Sequence, residues 1–265
     1  MKRLVILGGG GSGVGAALLG KVKAYNVFLS DSGKIADKYK YVLIHNEIEW
    51  EDSGHTESEI LSADIVVKSP GIPDQISIIQ KLQSLAIPVV SEIEFAALYT
   101  TANIIGITGS NGKTTTTMMV YHILRQAGLD VAMGGNIGES FAEQVLTNTA
   151  NYVLELSSFQ LDGIKDFRPH IAVITNITPD HLDRYNYNFE NYIASKFRII
   201  MNQTADDYLL YDSDDKVITS YINTHTIQSI LVPFSLSKIV ANGTYLEENN
   251  IICLLYTSPS PRDIG

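Results

Sequence analysis

Short runs of branched and apolar residues alternate along the chain with longer stretches that are apolar at helical spacing. Residues 4–7, 27–29, 65–67 and 88–90 read as strands, with helices expected over 13–24, 56–62, 75–85 and 91–99. A second series places strands over 103–108, 130–133, 152–156, 171–175 and 208–211, and helices over 113–127, 138–147 and 189–202. The strand segments are continuously apolar rather than alternating, as in parallel sheets covered by helices on both faces. Two successive α/β domains with mostly parallel sheets are therefore expected. A polar break near residues 100–102 separates the series, giving domains over 1–100 and 101–255. The last ten residues, 256–265, contain two prolines and no periodicity, and are expected to be a disordered or non-native tail.

Composition narrows the function classes. The chain has 265 residues, 45% of them hydrophobic, which is enough for two buried cores. Nineteen basic against twenty-nine acidic side chains give a net charge of −10. With no long basic run, this argues against nucleic-acid or membrane-surface binding, while an anion can still be held by backbone amides. The single cysteine, Cys253, excludes a disulfide framework and a cysteine-rich zinc site and suits a reducing cytosol. Met1-Lys2-Arg3 begins like a signal peptide, but glycines end the apolar run after four residues, and no stretch is apolar enough to cross a membrane. A cytoplasmic chain without membrane insertion is expected.

Two glycine-rich turns carry the candidate chemistry. Gly8-Gly9-Gly10-Gly11-Ser12-Gly13 follows a strand, opens a helix and fits G-x-G-x-x-G, with Asp31 at the end of the next strand. The residues alone leave three uses open: close helix–strand packing, a dinucleotide such as NAD, or another nucleotide-bearing ligand. The second turn, Thr108-Gly109-Ser110-Asn111-Gly112-Lys113-Thr114-Thr115, also joins a strand to a helix. Its amides can converge on phosphate oxygens, Lys113 can neutralise their charge, and the Thr114 hydroxyl can reach magnesium. Ile107 stands where the longer phosphate-loop pattern has glycine, so this is the short G-x-x-G-K-T form of a P-loop-type ATPase domain.

Further candidates lie at strand ends. Glu155 closes a strand and is placed to bind magnesium directly or through water. Asp180, His181 and Asp183 follow the strand over 171–175, where they serve either a site or a turn. Lys196 lies on the helix over 189–202, and by itself reads as a solvated surface lysine.

Together these motifs resemble the Mur ligases, ATP-dependent amide-bond ligases that build the peptide stem of the cell wall. Gly-x-x-Gly-Lys-Thr-Thr is shared with folylpolyglutamate synthases, which stay open as an alternative together with other Mur-type ligases. Gly134-Gly135-Asn136-Ile137-Gly138, Glu155-Leu156-Ser157-Ser158-Phe159-Gln160-Leu161, Asp180-His181-Leu182-Asp183-Arg184-Tyr185 and Ser69-Pro70-Gly71 are narrower. They resemble the branch that joins D-glutamate to UDP-N-acetylmuramoyl-L-alanine, and the likeness covers about residues 3–235.

The resemblance implies a Rossmann-like first domain whose glycine turn holds the UDP moiety. Ser12 and Gly13 would face it, with Asp31 and Ser32 toward the uracil and Ser69, Pro70 and Gly71 as further contacts. Asn136, Ser157, Gln160 and His181 would line the muramoyl-alanine end or the metals. Gly109, Ser110, Asn111, Gly112, Lys113, Thr114, Thr115 and Thr116 would wrap the ATP phosphates. Of two magnesium sites, one falls to Thr114 and Glu155 and the other to His181 and a carbamylated Lys196. Lys113, Glu155, His181 and Lys196 are thus the expected catalytic set, in a monomer. The family's third, amino-acid-binding domain has no counterpart here, so a fragment that binds UDP-substrate and nucleotide is expected. An NAD-binding oxidoreductase and a non-catalytic nucleotide-binding module remain the readings from other classes.

Overall fold

A computed structural model describes residues 1–255; the tail expected over 256–265 lies outside the described residues. The described residues divide into two compact units, one comprising residues 1–105 and 114–167, the other residues 106–113 and the described chain from 168 onward.

The first unit contains a five-stranded parallel sheet of order β3-β2-β1-β4-β5. Its strands are β1 (Arg3–Leu7), β2 (Asn26–Ser30), β3 (Glu49–Glu51), β4 (Ile65–Lys68) and β5 (Val89–Ser91). Helices α1 (Gly11–Val22), α2 (Asp37–His45), α3 (Glu57–Leu61), α4 (Ser77–Ser84) and α5 (Glu92–Ala97) connect or follow them. Leu4, Val5, Ile6 and Leu7 are all buried, because β1 is central and covered on both faces. Val5, Leu7, Phe28, Val66, Ile79 and Leu82 form one apolar cluster, against which Ile72 and Val89 pack. The order 3-2-1-4-5, with phosphate-type turns at the carboxyl edge, is the doubly wound arrangement expected from the sequence.

This unit also holds the start of β6 (Asn103–Thr108), then α6 (Lys113–Gln126), β7 (Val131–Gly135), α7 (Phe141–Val145), β8 (Asn151–Glu155) and α8 (Ser158–Asp162), in the strand order β6-β8-β7. The second unit continues from the end of β6 with β9 (Ile171–Ile174), α9 (Phe189–Phe197), β10 (Tyr208–Asp212), α10 (Lys216–Thr224), β11 (Ile230–Ser235), β12 (Thr244–Glu247) and β13 (Asn250–Cys253). Its strand order is β13-β12-β11-β10-β9-β6, and the final β12–β13 hairpin is antiparallel.

The structure departs from the sequence expectations in local ways. The helix expected over 138–147 runs only Phe141–Val145, because Gly138 is left-handed (φ +66°) and Ser140 caps the start by accepting the Glu143 N–H. The helix expected over 189–202 ends at Phe197 and tightens into a 3-10 turn over Arg198–Ile200. Strand β5 begins at Val89, since Pro88 has no N–H for a ladder, although its carbonyl still accepts from Val66. Strand β3, Glu-Trp-Glu, and helices α2, α8 and α10 were not legible as periodic segments.

Candidate functional site

The first glycine turn is built for close approach. Gly8 has φ +104°, and a Cβ there would lie 2.3 Å from Ser69 Oγ; one on Gly13 would lie 1.9 Å from the Gly8 carbonyl oxygen. Packing therefore explains Gly13, one of the three uses the sequence left open. The turn carries more than packing, however. Asp31 accepts the Gly9 N–H at 2.5 Å and the Gly33 N–H at 2.7 Å, so the acid at the end of β2 ties the turn to the following loop. Helix α1 begins at Gly11 after an N-cap glycine, Gly10, with no side-chain cap and no acid in its first turn, which holds Ser12 and suits an anion at its amides. Ser32 and Gly71 are exposed, and Ser69 and Pro70 half-buried, at the carboxyl edge of the same sheet. A cavity of about 190 Å³ in this unit is lined by Pro70, Lys68, Ser91, Phe159 and Lys165, among others. It brings the Ser-Pro-Gly motif together with the Ser-Ser-Phe-Gln segment.

The second group also lies in the first unit. Glu155, the last residue of β8, is 2% exposed and accepts the Thr114 hydroxyl and the Asn136 amide, both at 2.7 Å. Asn136 is placed by its neighbour Gly135 (φ +101°), where a Cβ would stand 2.3 Å from the Glu155 carbonyl oxygen. The Asn136 N–H donates to that same carbonyl at 2.9 Å. Among the described residues no lysine, arginine or histidine pairs with Glu155, so a buried carboxylate is held only by neutral donors. A buried charge without a counter-ion is costly, and hard oxygen donors of this kind fit magnesium. Ser157 and Gln160 do something local: Gln160 N–H donates to Ser157 Oγ while Gln160 Oε1 accepts from Ser157 N–H, a capping box that starts α8.

The phosphate loop lies in the second unit up to Lys113, with Thr114 the next residue in the chain. Gly109 has φ +149°, and a Cβ there would fall 2.0 Å from Thr175 Oγ1; Gly112 has φ +80°. Asn176 clamps the loop by accepting the Asn111 N–H and donating to the Asn111 carbonyl, both at 2.9 Å. Ser110 is anchored by Thr178, donating to its carbonyl at 2.8 Å and accepting its N–H at 2.9 Å. The Lys113 ammonium folds back onto the carbonyls of Gly109 (2.9 Å) and Ser110 (2.8 Å).

Lys196 is not the solvated lysine that a helix position alone suggests. It is 2% exposed, donates to the Gly109 carbonyl at 2.7 Å, and sits 5.1 Å from the Tyr192 ring centroid. As an ammonium it donates and offers no lone pair to a metal. His181 is an exposed, left-handed residue (φ +48°) beside Asp180, with Nε2 3.5 Å from its carboxylate. Asp183 lies in the 3-10 turn Leu182–Tyr185. Among the described residues no three His, Cys, Asp or Glu side chains gather as a ready metal cage. The loop-holding residues Thr175, Asn176, Thr178 and Tyr192, whose hydroxyl lies 3.1 Å from Ser110 Oγ, were missed. The signal for Asn176 was present, an asparagine directly after an apolar strand at the edge that carries the loop.

Comparison with known proteins agrees with these motifs. The Mur ligase middle domain matches residues 107–251, and the MurD N-terminal domain matches residues 4–78. The chain is 59% identical over 252 residues to the UDP-N-acetylmuramoylalanine--D-glutamate ligase of Christiangramia forsetii, covering 95% of this chain and 57% of that protein. The enzyme of the same name from Bacteroides fragilis is 52% identical over 253 residues, with the same coverage. The chain thus spans little more than half the length of these relatives. Among solved structures, the UDP-N-acetylmuramate:L-alanyl-gamma-D-glutamyl-meso-diaminopimelate ligase of Neisseria meningitides superposes with TM-score 0.67 at 18% identity, over 92% of this chain and 83% of that one. The Thermotoga maritima UDP-N-acetylmuramate-alanine ligase superposes with TM-score 0.58 at 21% identity, over 90% and 53%. These likenesses support the fold, and among the described residues no helix is long and apolar enough to cross a membrane. On the match of its middle domain over more than half its length, the chain belongs to the Mur ligase family.

Proposed function

We propose that the chain is the nucleotide- and UDP-substrate-binding part of an ATP-dependent ligase, which adds D-glutamate to UDP-N-acetylmuramoyl-L-alanine in the cytoplasm. The observation that carries this reading is Glu155, a buried carboxylate without a cationic partner among the described residues, joined to the first hydroxyl after the phosphate-loop lysine. The names of the relatives favour this substrate pair over the folate and NAD readings. A domain boundary near residues 100–102 is supported by the two family matches, which fall on either side of it.

The substrate's terminal alanine carboxylate is a poor electrophile and must be activated. Its attack on the γ-phosphorus of ATP gives an acyl phosphate and ADP; the amine of D-glutamate then attacks the acyl carbon and phosphate leaves. The loop amides of residues 109–113 hold the phosphates, and the Lys113 ammonium turns from the Gly109 and Ser110 carbonyls to the transferring group. Thr114 and Glu155 would hold magnesium, which when bound would supply charge neutralisation on the phosphoryl oxygens. A second magnesium at His181 and Lys196 depends on carbamylation of the lysine, and a mass increase of one CO2 on Lys196 is the test of that form.

Calorimetric titration of the chain with magnesium-ATP and, separately, with UDP-N-acetylmuramoyl-L-alanine tests the reading. Wild type should take up both, and Lys113→Ala should lose ATP while keeping the UDP-substrate. Equal loss of both ligands, or unchanged ATP uptake, would contradict the division of roles.

A further inference from the structure

Asn136 holds Glu155 only as firmly as the segment between β7 and α7 holds Asn136. That segment is closed on itself. The Gly135 N–H donates to the Glu139 carbonyl at 3.2 Å, and a Cβ on Gly134 would lie 2.8 Å from the same oxygen. With its two ends in contact, the segment shifts as one piece, since close-packed atoms transmit displacement rather than absorb it.

The far end of the segment is Ser140, which caps α7 by accepting the Glu143 N–H at 3.2 Å and is 4% exposed. It is seated on α1, in the same compact unit. A Cβ on Gly15 would fall 1.8 Å from Ser140 Oγ and 3.0 Å from Ser140 Cβ, so there is no room for a methyl group between them. Gly15 lies inside α1, where glycine is a weaker helix former than alanine, and its φ is not left-handed. The close approach of Ser140, rather than any demand of the backbone, accounts for it. On the other side, Glu92 of α5 accepts the Ala142 N–H at 2.5 Å. The start of α7 is thus fixed by two helices that cover the five-stranded sheet.

We propose that Gly15 and Ser140 are positioning residues for the cation site: α1 sets where α7 begins, and the closed segment carries that position to Asn136 and so to Glu155. This rests on the reading of Thr114 and Glu155 as the magnesium site. An alanine at position 15 would force Ser140 back by roughly 1.5 Å to reach ordinary contact. Turning the hydroxyl aside would break the Glu143 cap and still leave Ser140 Cβ at 3.0 Å. Asn136 binds Glu155 through its side-chain amide at 2.7 Å and its N–H at 2.9 Å, and either bond is lost after a stretch of under about 1 Å. The displacement exceeds what those bonds tolerate.

A size swap separates positioning from general destabilisation. In Gly15→Ala the seat is overfilled; in Ser140→Gly it is empty; in the double variant the new methyl occupies the space the serine leaves. Its next neighbour is then Glu143 Cβ at 3.4 Å, an ordinary contact, and glycine is itself a tolerated N-cap. ATP is titrated by calorimetry into wild type and the three variants, each with and without magnesium, and melting temperatures are recorded. Magnesium should tighten ATP binding about tenfold or more in wild type and in the double variant, and under about threefold in each single variant. ATP affinity without magnesium should stay within about twofold throughout. Should Gly15→Ala fail to fold, Ser140→Gly and the double variant still differ in whether the seat is filled. A wild-type magnesium effect in Gly15→Ala, or equal magnesium effects in Ser140→Gly and the double variant, overturns the proposal alone. A wild type on which magnesium has no effect removes the magnesium reading and this proposal together.

Discussion

Glu92 gives a quantitative test of the packing in the first unit. It opens α5, is 2% exposed, and accepts the Ala142 N–H with Oε1 at 2.5 Å; among the described residues Oε2 has no hydrogen-bond partner. Burial pushes its carboxyl up to about 8 from an ordinary 4.5, against the smaller opposite pull of the Ala142 bond. A carboxyl raised in the folded state leaves stability intact below the unfolded value and removes it as pH rises toward the folded one. Integrating across that window costs the fold under about 1 kcal/mol at pH 5, about 3 kcal/mol at pH 7 and about 4 kcal/mol at pH 8. Glu92→Gln keeps an acceptor for Ala142 and does not titrate. Urea unfolding of both proteins at several pH values isolates Glu92, because the other titrating groups cancel in the difference. Relative to wild type, the variant should gain about 2.5 kcal/mol between pH 5 and pH 7, and about 1 kcal/mol more by pH 8. A difference that stays constant over this range would refute the buried, protonated state.

Gly109→Ala should weaken ATP binding at least about tenfold and lower stability by about 1–3 kcal/mol, since its Cβ would fall 2.0 Å from Thr175 Oγ1 on backbone with φ +149°; unaltered ATP titration and melting would show that the loop can shift. Glu94 is a buried carboxylate that accepts the N–H groups of Lys165, Asp166 and Phe167 at 2.8, 2.8 and 3.0 Å. Its replacement by alanine orphans three donors and should cost about 3–5 kcal/mol in denaturant unfolding, whereas a loss under about 1 kcal/mol would show that water or a rearranged loop satisfies them.

The central strands were legible because their apolar runs are continuous: β1, β4 and β6 lie within a residue or so of their expected limits. The edge strand β3 was not, because Glu49-Trp50-Glu51 is only partly buried and its pairing comes from the sheet rather than from its own pattern. Both glycine turns could be found from local spacing, since positive φ at Gly8, Gly109 and Gly112 leaves a sequence mark. Lys196 could not. Its burial depends on a contact with the Gly109 carbonyl 87 residues away, and nothing on its own helix announces it. The capping role of Ser157 and Gln160 was present in the sequence as a serine with glutamine three residues on, a pattern equally compatible with ligand contact. The seat of Ser140 on Gly15 was hidden for the same reason as Lys196, its members lying far apart in the chain.

The central claim is that the Glu155 carboxylate and the Thr114 hydroxyl hold the cation that accompanies ATP. Titrating ATP into wild type and Glu155→Gln, each with and without magnesium, tests it most directly. Magnesium should tighten ATP binding to wild type by about tenfold or more, a charge-assisted contribution, and to the variant by less than about twofold. The same tightening by magnesium in both proteins would contradict the claim.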